Sequence, residues 1–281
     1  MRKVTVFEIS NVVASLCEAC CYILPDDVTT AFSRCLQSET SVRGRDTLKQ
    51  LLDNACMAKQ GIYPLCQDTG LVIVFIDFGQ EVCLEGGDLY AAVNAGVAKG
   101  YQEAYLRASV LSDPLFERKN TGDNTPAIVH LRLTPGDKIK IRVAPKGAGS
   151  ENKGLLRLLP PSAGIEGVKE VVLDAVSAAG PDACPPLVVG VGIGGNMEMA
   201  ALYAKQAAVR DLDSVSPNPR YAALEEELLE LVNSLGIGPQ GLGGKTTALK
   251  VNIEWGPTHI ASLPVAVNLN CHCARHCETV I

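Results

Sequence analysis

The run CPPLVVGVGIGGNMEMA, Cys184–Ala200, limits the fold more than any other stretch of the chain. The apolar run predicts a strand, and the residues after Asn196 predict a helix. Gly190, Gly192 and Gly195 also give it G-x-G-x-x-G spacing. A dinucleotide-binding loop with that spacing needs an acidic residue about 20 positions on, at the end of a second strand. Here the region reads VRDLDSVSPNPRY, and Asp211 and Asp213 lie in a proline-broken segment. An NAD-binding oxidoreductase is therefore a distant alternative.

A second glycine-rich stretch, GPQGLGGKTT, imitates a phosphate loop. Its first glycine position holds Pro239, and a strand-like ALKVNIEW follows where such a loop needs a helix N-terminus. Both stretches still cluster backbone amides, with Lys245 beside one of them, so anion binding and plain tight turns both remain open.

The chain has 281 residues with 47% hydrophobic, 20% charged and only 5% aromatic residues. Its net charge of −6 argues against binding nucleic acid or a membrane surface. MRKVTVFEIS reaches Glu8 before any apolar run, which makes a poor signal peptide, and no stretch reads as the roughly 18 apolar residues of a membrane span. A cytoplasmic protein is expected. Eleven cysteines in a reducing compartment then point to a metal or cluster, with the remainder as small core residues.

Helices are expected through the first sixty residues. Cys17, Cys20, Cys21 and Leu24 share a face that reads as core, Leu48, Leu51, Leu52 and Ala55 form a second stripe, and Cys56 beside that stripe also reads as core. Pro64–Gly70 is a turn before a strand over Leu71–Phe78. Asp88 caps a helix whose stripe is Leu89, Val93, Val97, Tyr101 and Tyr105, ending near Arg107. AIVHLRL and KIKIRVAP, joined by Pro135-Gly136-Asp137, read as a hairpin. The whole predicts a mixed α/β fold: a compact single catalytic unit over residues 1–281, with a helical N-terminal lobe over about 1–62.

Cys66, Cys184 and Cys271 each stand in a turn-like setting beside a strand-like run. Three ligands from distant loops suit an enclosed iron–sulfur cluster, whereas CHCARHC offers a rival zinc-stabilised module from Cys271, His272, Cys273, His276 and Cys277. The motifs YPLCQDTG, YLRAS, KGAGSENKG, CPPLVVGVGIGG, GLGGKTTAL, GPTHIASLPVAVNLNCH and ARH, in this order from about Leu48 to Arg275, resemble the α subunit of the iron–sulfur hydro-lyases. That family comprises class I fumarate hydratases and L-tartrate dehydratases.

The resemblance implies a 4Fe–4S cluster on Cys66, Cys184 and Cys271, with its fourth iron open to a small dicarboxylate as a Lewis acid. A fourth cysteine would close that position, so three ligands suit catalysis rather than electron transfer. Asp68 and His259 are the implied catalytic residues, with turn capping and a structural histidine as the alternatives. Gln67, Arg107, Lys146, Gly147, Gly149 and Lys245 are the implied substrate-binding residues, Arg107 because a guanidinium matches a carboxylate. His272 and Arg275 are expected to support Cys271, and the glycines after Cys184 to let backbone approach the cluster. Single-chain members continue into a second domain, so ending at Ile281 points to a separate β subunit, with a hetero-oligomer of self-pairing α subunits. Fumarate hydration is the leading activity by this reading, and tartrate dehydration the alternative.

Overall fold

The apolar run does form a strand, β7 (Leu187–Gly195), and it is buried along almost its whole length. In the computed structural model, which describes residues 1–281, it pairs in parallel with β8 (Ala248–Thr258) and antiparallel with β9 (Leu263–Asn270). The sheet order is β6-β9-β7-β8, with β6 (Leu155–Leu159) at one edge. Side chains alternate across β7, so Val189, Val191 and Ile193 point one way and Gly190 and Gly192 the other. The valine face joins a core with helices α6 (Gly164–Ala179) and α8 (Pro219–Ser234), through Val172, Val176, Leu228 and Val232.

The glycine face is covered by α7 (Met197–Ala208), itself lined by Ala200, Ala204, Ala207 and Ala208. A Cβ on Gly190 would lie 2.2 Å from the Ala204 carbonyl oxygen, and one on Gly192 would lie 2.0 Å from that of Ala200. These glycines let a helix pack directly on a strand. Gly190 and Gly192 thus make room for α7 and not for a cluster, which corrects that expectation, and the distant nucleotide-binding alternative gains nothing from them.

This sheet belongs to one of two compact units, made of Asp26–Asn54 and Gly149–Ala274. It also holds α2 (Asp26–Ser38) and most of α3 (Val42–Lys59). Asp27 at the start of α2 accepts the Leu212 amide at 2.6 Å.

The other unit takes Met1–Pro25, Ala55–Ala148 and Arg275–Ile281. Its main sheet runs β10-β5-β2-β4, from β2 (Leu71–Gly79), β4 (Ile128–Thr134), β5 (Ile139–Lys146) and β10 (Cys277–Val280). The segments β4 and β5 do not form the expected hairpin. Strand β2 lies between them, parallel to β4 and antiparallel to β5, and the Pro135–Asp137 turn passes over its end, where the Gln80 amide bonds the Thr134 carbonyl. A second small sheet pairs β1 (Arg2–Thr5) with β3 (Val82–Glu85) in parallel.

Helix α1 (Val6–Tyr22) and helix α4 (Leu89–Glu103) share this unit's core with Val72, Val74, Ile76, Ile139 and Ile141. Cys17, Cys20 and Cys21 are fully buried there, as expected. Cys17 and Cys20 have C-x-x-C spacing, yet both lie inside this helical core. Asp88 does cap α4, but the helix stops at Glu103, so Tyr105 leaves its stripe and is 91% exposed at φ 53°. Cys56 is exposed rather than core.

Contrary to expectation, the stretch Val6–Ser38 contains a window apolar enough to cross a membrane, with mean hydropathy 1.4. The chain breaks at Ile23–Pro25, however, and α1 spends its apolar face on the core described above.

Candidate active site

The turn that carries Cys66 is held by backbone and by its own side chains. The Leu65 amide donates to the Cys21 carbonyl at 2.7 Å, which ties the turn to α1 and leaves Cys66 half-buried and Gln67 exposed. Asp68 uses both oxygens locally: Oδ1 accepts the Gly70 amide at 3.1 Å and Oδ2 the Ala148 amide at 2.8 Å. It therefore caps the start of the short helix α5 (Ala148–Glu151) as well as its own turn. Each oxygen keeps a lone pair beyond those bonds.

Arg107 joins the same group through its backbone. Its carbonyl accepts Thr69 Oγ1 at 2.5 Å, and its side chain is exposed. Tyr101 donates to the Thr69 carbonyl at 2.6 Å, while Asn124 donates to the Gly70 carbonyl at 3.0 Å and accepts the Ser109 amide at 2.7 Å. Asn124 is fully buried at φ 61° and was not anticipated; only its place in the polar loop GDNTP hinted at it. Gly147 lies against Asp68, since a Cβ there would meet Oδ2 at 3.0 Å and Arg275 Nη2 at 3.5 Å. Lys146 is buried at the end of β5, so its ammonium is no loose surface charge. This unit thus gathers Cys66, Gln67, Asp68, the Arg107 backbone and Lys146–Gly147 around one turn.

In the other unit Cys184 follows a single 3₁₀ turn, Gly180–Ala183, with its own backbone left-handed at φ 55°. That conformation costs a non-glycine residue of order 1–3 kcal/mol and persists only where surroundings hold it. Three contacts do so. The Cys184 amide bonds the Pro181 carbonyl at 2.9 Å, the His272 amide donates to the Cys184 carbonyl at 3.1 Å, and Gln240 grips the Pro185 carbonyl through its backbone amide (2.7 Å) and Nε2 (2.8 Å). Cys271 directly follows β9, whose Asn270 pairs with Val188, so Cys184 and Cys271 stand at one end of neighbouring strands. Both are half-buried.

The KGAGSENKG segment is anchored beside them. Lys153 pairs with Asp182 at 2.8 Å, and Glu151 pairs with Lys205 and accepts Asn268 Nδ2 at 3.0 Å. Burial pulls the Lys205 ammonium below its usual range, and Glu151 opposes that pull. Gly149 is exposed, with Asp182 as its near neighbour.

The ligand atoms of Cys271, His272 and Cys273 lie within 4.8 Å of one another, the set the zinc reading needs first. His272 Nδ1 faces Gln240 Nε2 at 3.2 Å and its Nε2 faces Cys273 Sγ at 3.3 Å. Cys277, in the other unit, lies on β10 opposite Val143 and shares a hydrogen bond with Cys20, which lowers its pKa. Cys21 is pushed up to about 11 by burial, with Arg275 opposing the shift. Thiol donors on turns fixed by strands and backbone bonds are the chemistry an iron–sulfur cluster takes; Cys184 and Cys271 stand in such turns in this unit and Cys66 in the other.

His259 and Lys245 belong to the same unit as Cys184 and Cys271. His259 is exposed in a turn, where its Nδ1 accepts the Ala261 amide at 3.2 Å. The Lys245 side chain is exposed, but its backbone amide is not available to a ligand. It donates to the carboxylate of Glu39 at 3.0 and 2.9 Å, so the amide-lined turn is filled from within. Glu39 was missed because a single acid after a helix carries no sequence signal.

Residues 10–280 match the family model described as fumarate hydratase (Fumerase), and the chain belongs to that family. Its relatives sharpen the class. A Methanocaldococcus jannaschii protein provisionally named L(+)-tartrate dehydratase subunit alpha is 41% identical over 272 residues, covering 95% of each chain. The L(+)-tartrate dehydratase subunits alpha of Escherichia coli K12 and Shigella sonnei are each 33% identical over 276 residues, covering 98% of this chain and 91% of theirs. The chain is thus of the alpha-subunit type of these hydro-lyases.

Proposed function

We propose that the chain is the alpha subunit of an iron–sulfur hydro-lyase that converts L(+)-tartrate to oxaloacetate together with a separate β chain. The observation that carries this reading is the placement of Cys184 and Cys271 at one end of adjacent strands, in a chain whose curated relatives above are named for tartrate. Fumarate hydration, expected first as the commoner activity of the family, has only the family description in its favour. Fumarate hydration is the second reading. A cytoplasmic setting belongs to the same proposal.

Dehydration removes a hydroxyl from one carbon of tartrate and a proton from the next, giving the enol of oxaloacetate. A 4Fe–4S cluster held by Cys66, Cys184 and Cys271 would supply Lewis-acid activation of the departing hydroxyl. Asp68 accepts the proton on a carboxylate whose direction is set by the Gly70 and Ala148 amides. Arg107 and Lys245 present cationic side chains for the two substrate carboxylates, with Gln67, Lys146, Gly147 and Gly149 as hydrogen-bonding groups. His259 steadies the charge that develops on the substrate. No fourth cysteine is needed.

Co-expression with a β chain, anaerobic purification and assays with L(+)-tartrate, fumarate and malate test the proposal. Iron and sulfide should co-purify, and replacing Cys66, Cys184 or Cys271 by Ser should remove them together with turnover. Cys277→Ser should retain both. Preparations without iron, or active on none of the three acids, refute it.

A further inference from the structure

Glu39 is only 3% exposed, and five donors converge on its carboxylate. The amides of Thr40 and Ser41 reach Oε1 at 2.9 and 3.0 Å, and the Lys245 amide is shared by both oxygens. The Thr246 amide and hydroxyl reach Oε2, each at 3.1 Å. Gly244 leaves the room this requires, because a Cβ there would meet Oε1 at 2.8 Å. Burial favours the protonated acid, but the donors from Ser41, Lys245 and Thr246 outweigh it and hold the carboxyl below its usual range.

The turn is pinned from other sides as well. The Gly243 amide bonds the Ile237 carbonyl at 2.9 Å, Gly238 donates to Thr247 Oγ1 at 3.2 Å, and Asn233 Oδ1 accepts the Thr247 and Ala248 amides at 2.8 and 2.9 Å. The clustered amides of this turn are thereby closed to outside anions, because the chain supplies its own carboxylate. What the turn leaves for solvent is the Lys245 side chain.

We infer that Glu39 is a positioning residue: by filling the Gly243–Thr247 turn it mounts the Lys245 ammonium where a substrate carboxylate binds. This rests on the assignment of Lys245 made above. Removing the carboxylate while leaving space for a small acid gives a specific test. In the complex with its β chain, Glu39→Ala should raise KM for L(+)-tartrate about tenfold while kcat changes less than about threefold, as expected when a charged hydrogen-bond anchor of a binding group is lost.

Added formate, which fits the emptied turn, should return KM toward wild type. The double variant Glu39→Ala/Lys245→Ala should be no worse than Lys245→Ala, since both act through one ammonium. A wild-type KM in Glu39→Ala, additive losses in the double variant, or no response to formate would overturn the inference. A wild-type complex inactive on both L(+)-tartrate and fumarate instead overturns the functional reading, and the inference falls with it.

Discussion

Gly192→Ala tests why the central strand carries glycines at all. The added methyl would lie 2.0 Å from the Ala200 carbonyl oxygen and 2.4 Å from the Ala204 amide nitrogen. Both are backbone atoms of α7, so no side chain can swing aside. The helix must instead back away from β7 by roughly an ångström, loosening the Ala200–Ala204–Ala266 contact. Overpacking of this kind costs about 3 kcal/mol, and the lower unfolded-state entropy of alanine returns at most about 1 kcal/mol.

A net loss of about 2 kcal/mol lowers the folding equilibrium constant roughly thirtyfold and shifts a urea midpoint by about 1 M. Trp255, the one tryptophan, pairs with Ile193 in the neighbouring strand, so its fluorescence reports on this sheet. Gly154→Ala is the control, because its methyl would find contacts no nearer than 3.4 Å. If Gly192→Ala unfolds within about 0.5 kcal/mol of wild type, the packing account of the glycine run is wrong.

Asp68→Asn should lower kcat by at least about a hundredfold, with a stability loss of only about 1–2 kcal/mol, because the new amide nitrogen faces backbone donors that the carboxylate accepted. Turnover of the complex and urea unfolding read the two effects separately. Glu278 accepts Lys140 at 2.7 Å and Arg142 Nε at 2.6 Å; burial raises its pKa, but these two cations outweigh that and hold it below the ordinary 4.5. Its stabilising contribution is complete above 4.5 and is lost as the pH falls through the lower folded value. Wild type and Glu278→Gln should therefore converge in stability under acid; a gap that persists unchanged there refutes the pairing.

The parts of the molecule that were readable from residues were those set by local periodicity. The buried cysteine face of α1, the Asp88 cap and the strand at Leu187–Gly195 follow from the local pattern alone. What spacing could not reach was pairing over distance. A proline–glycine turn between two strand-like runs looks the same whether the strands meet or admit a third between them, and here β2 enters from fifty residues upstream.

The site shows the same division. Cys66, Cys184 and Cys271 stood out by their settings, whereas Asn124, Gln240 and Glu39 act through long-range bonds to backbone that leave no local pattern. Tyr105 fell outside its helix because α4 ends two residues earlier than its stripe.

The unit that contains the N-terminus is assembled from three separated lengths of chain, and its sheet takes its last strand, residues 277–280, from the far end. During synthesis α4, β2 and β5 reach the first helix and its cysteines well before residues 277–280 emerge to close the sheet. The unit formed by Asp26–Asn54 and Gly149–Ala274 has all its strands earlier. A fragment ending before Cys277 would keep that second unit whole and leave β5 with an uncovered edge, open to pairing with another chain.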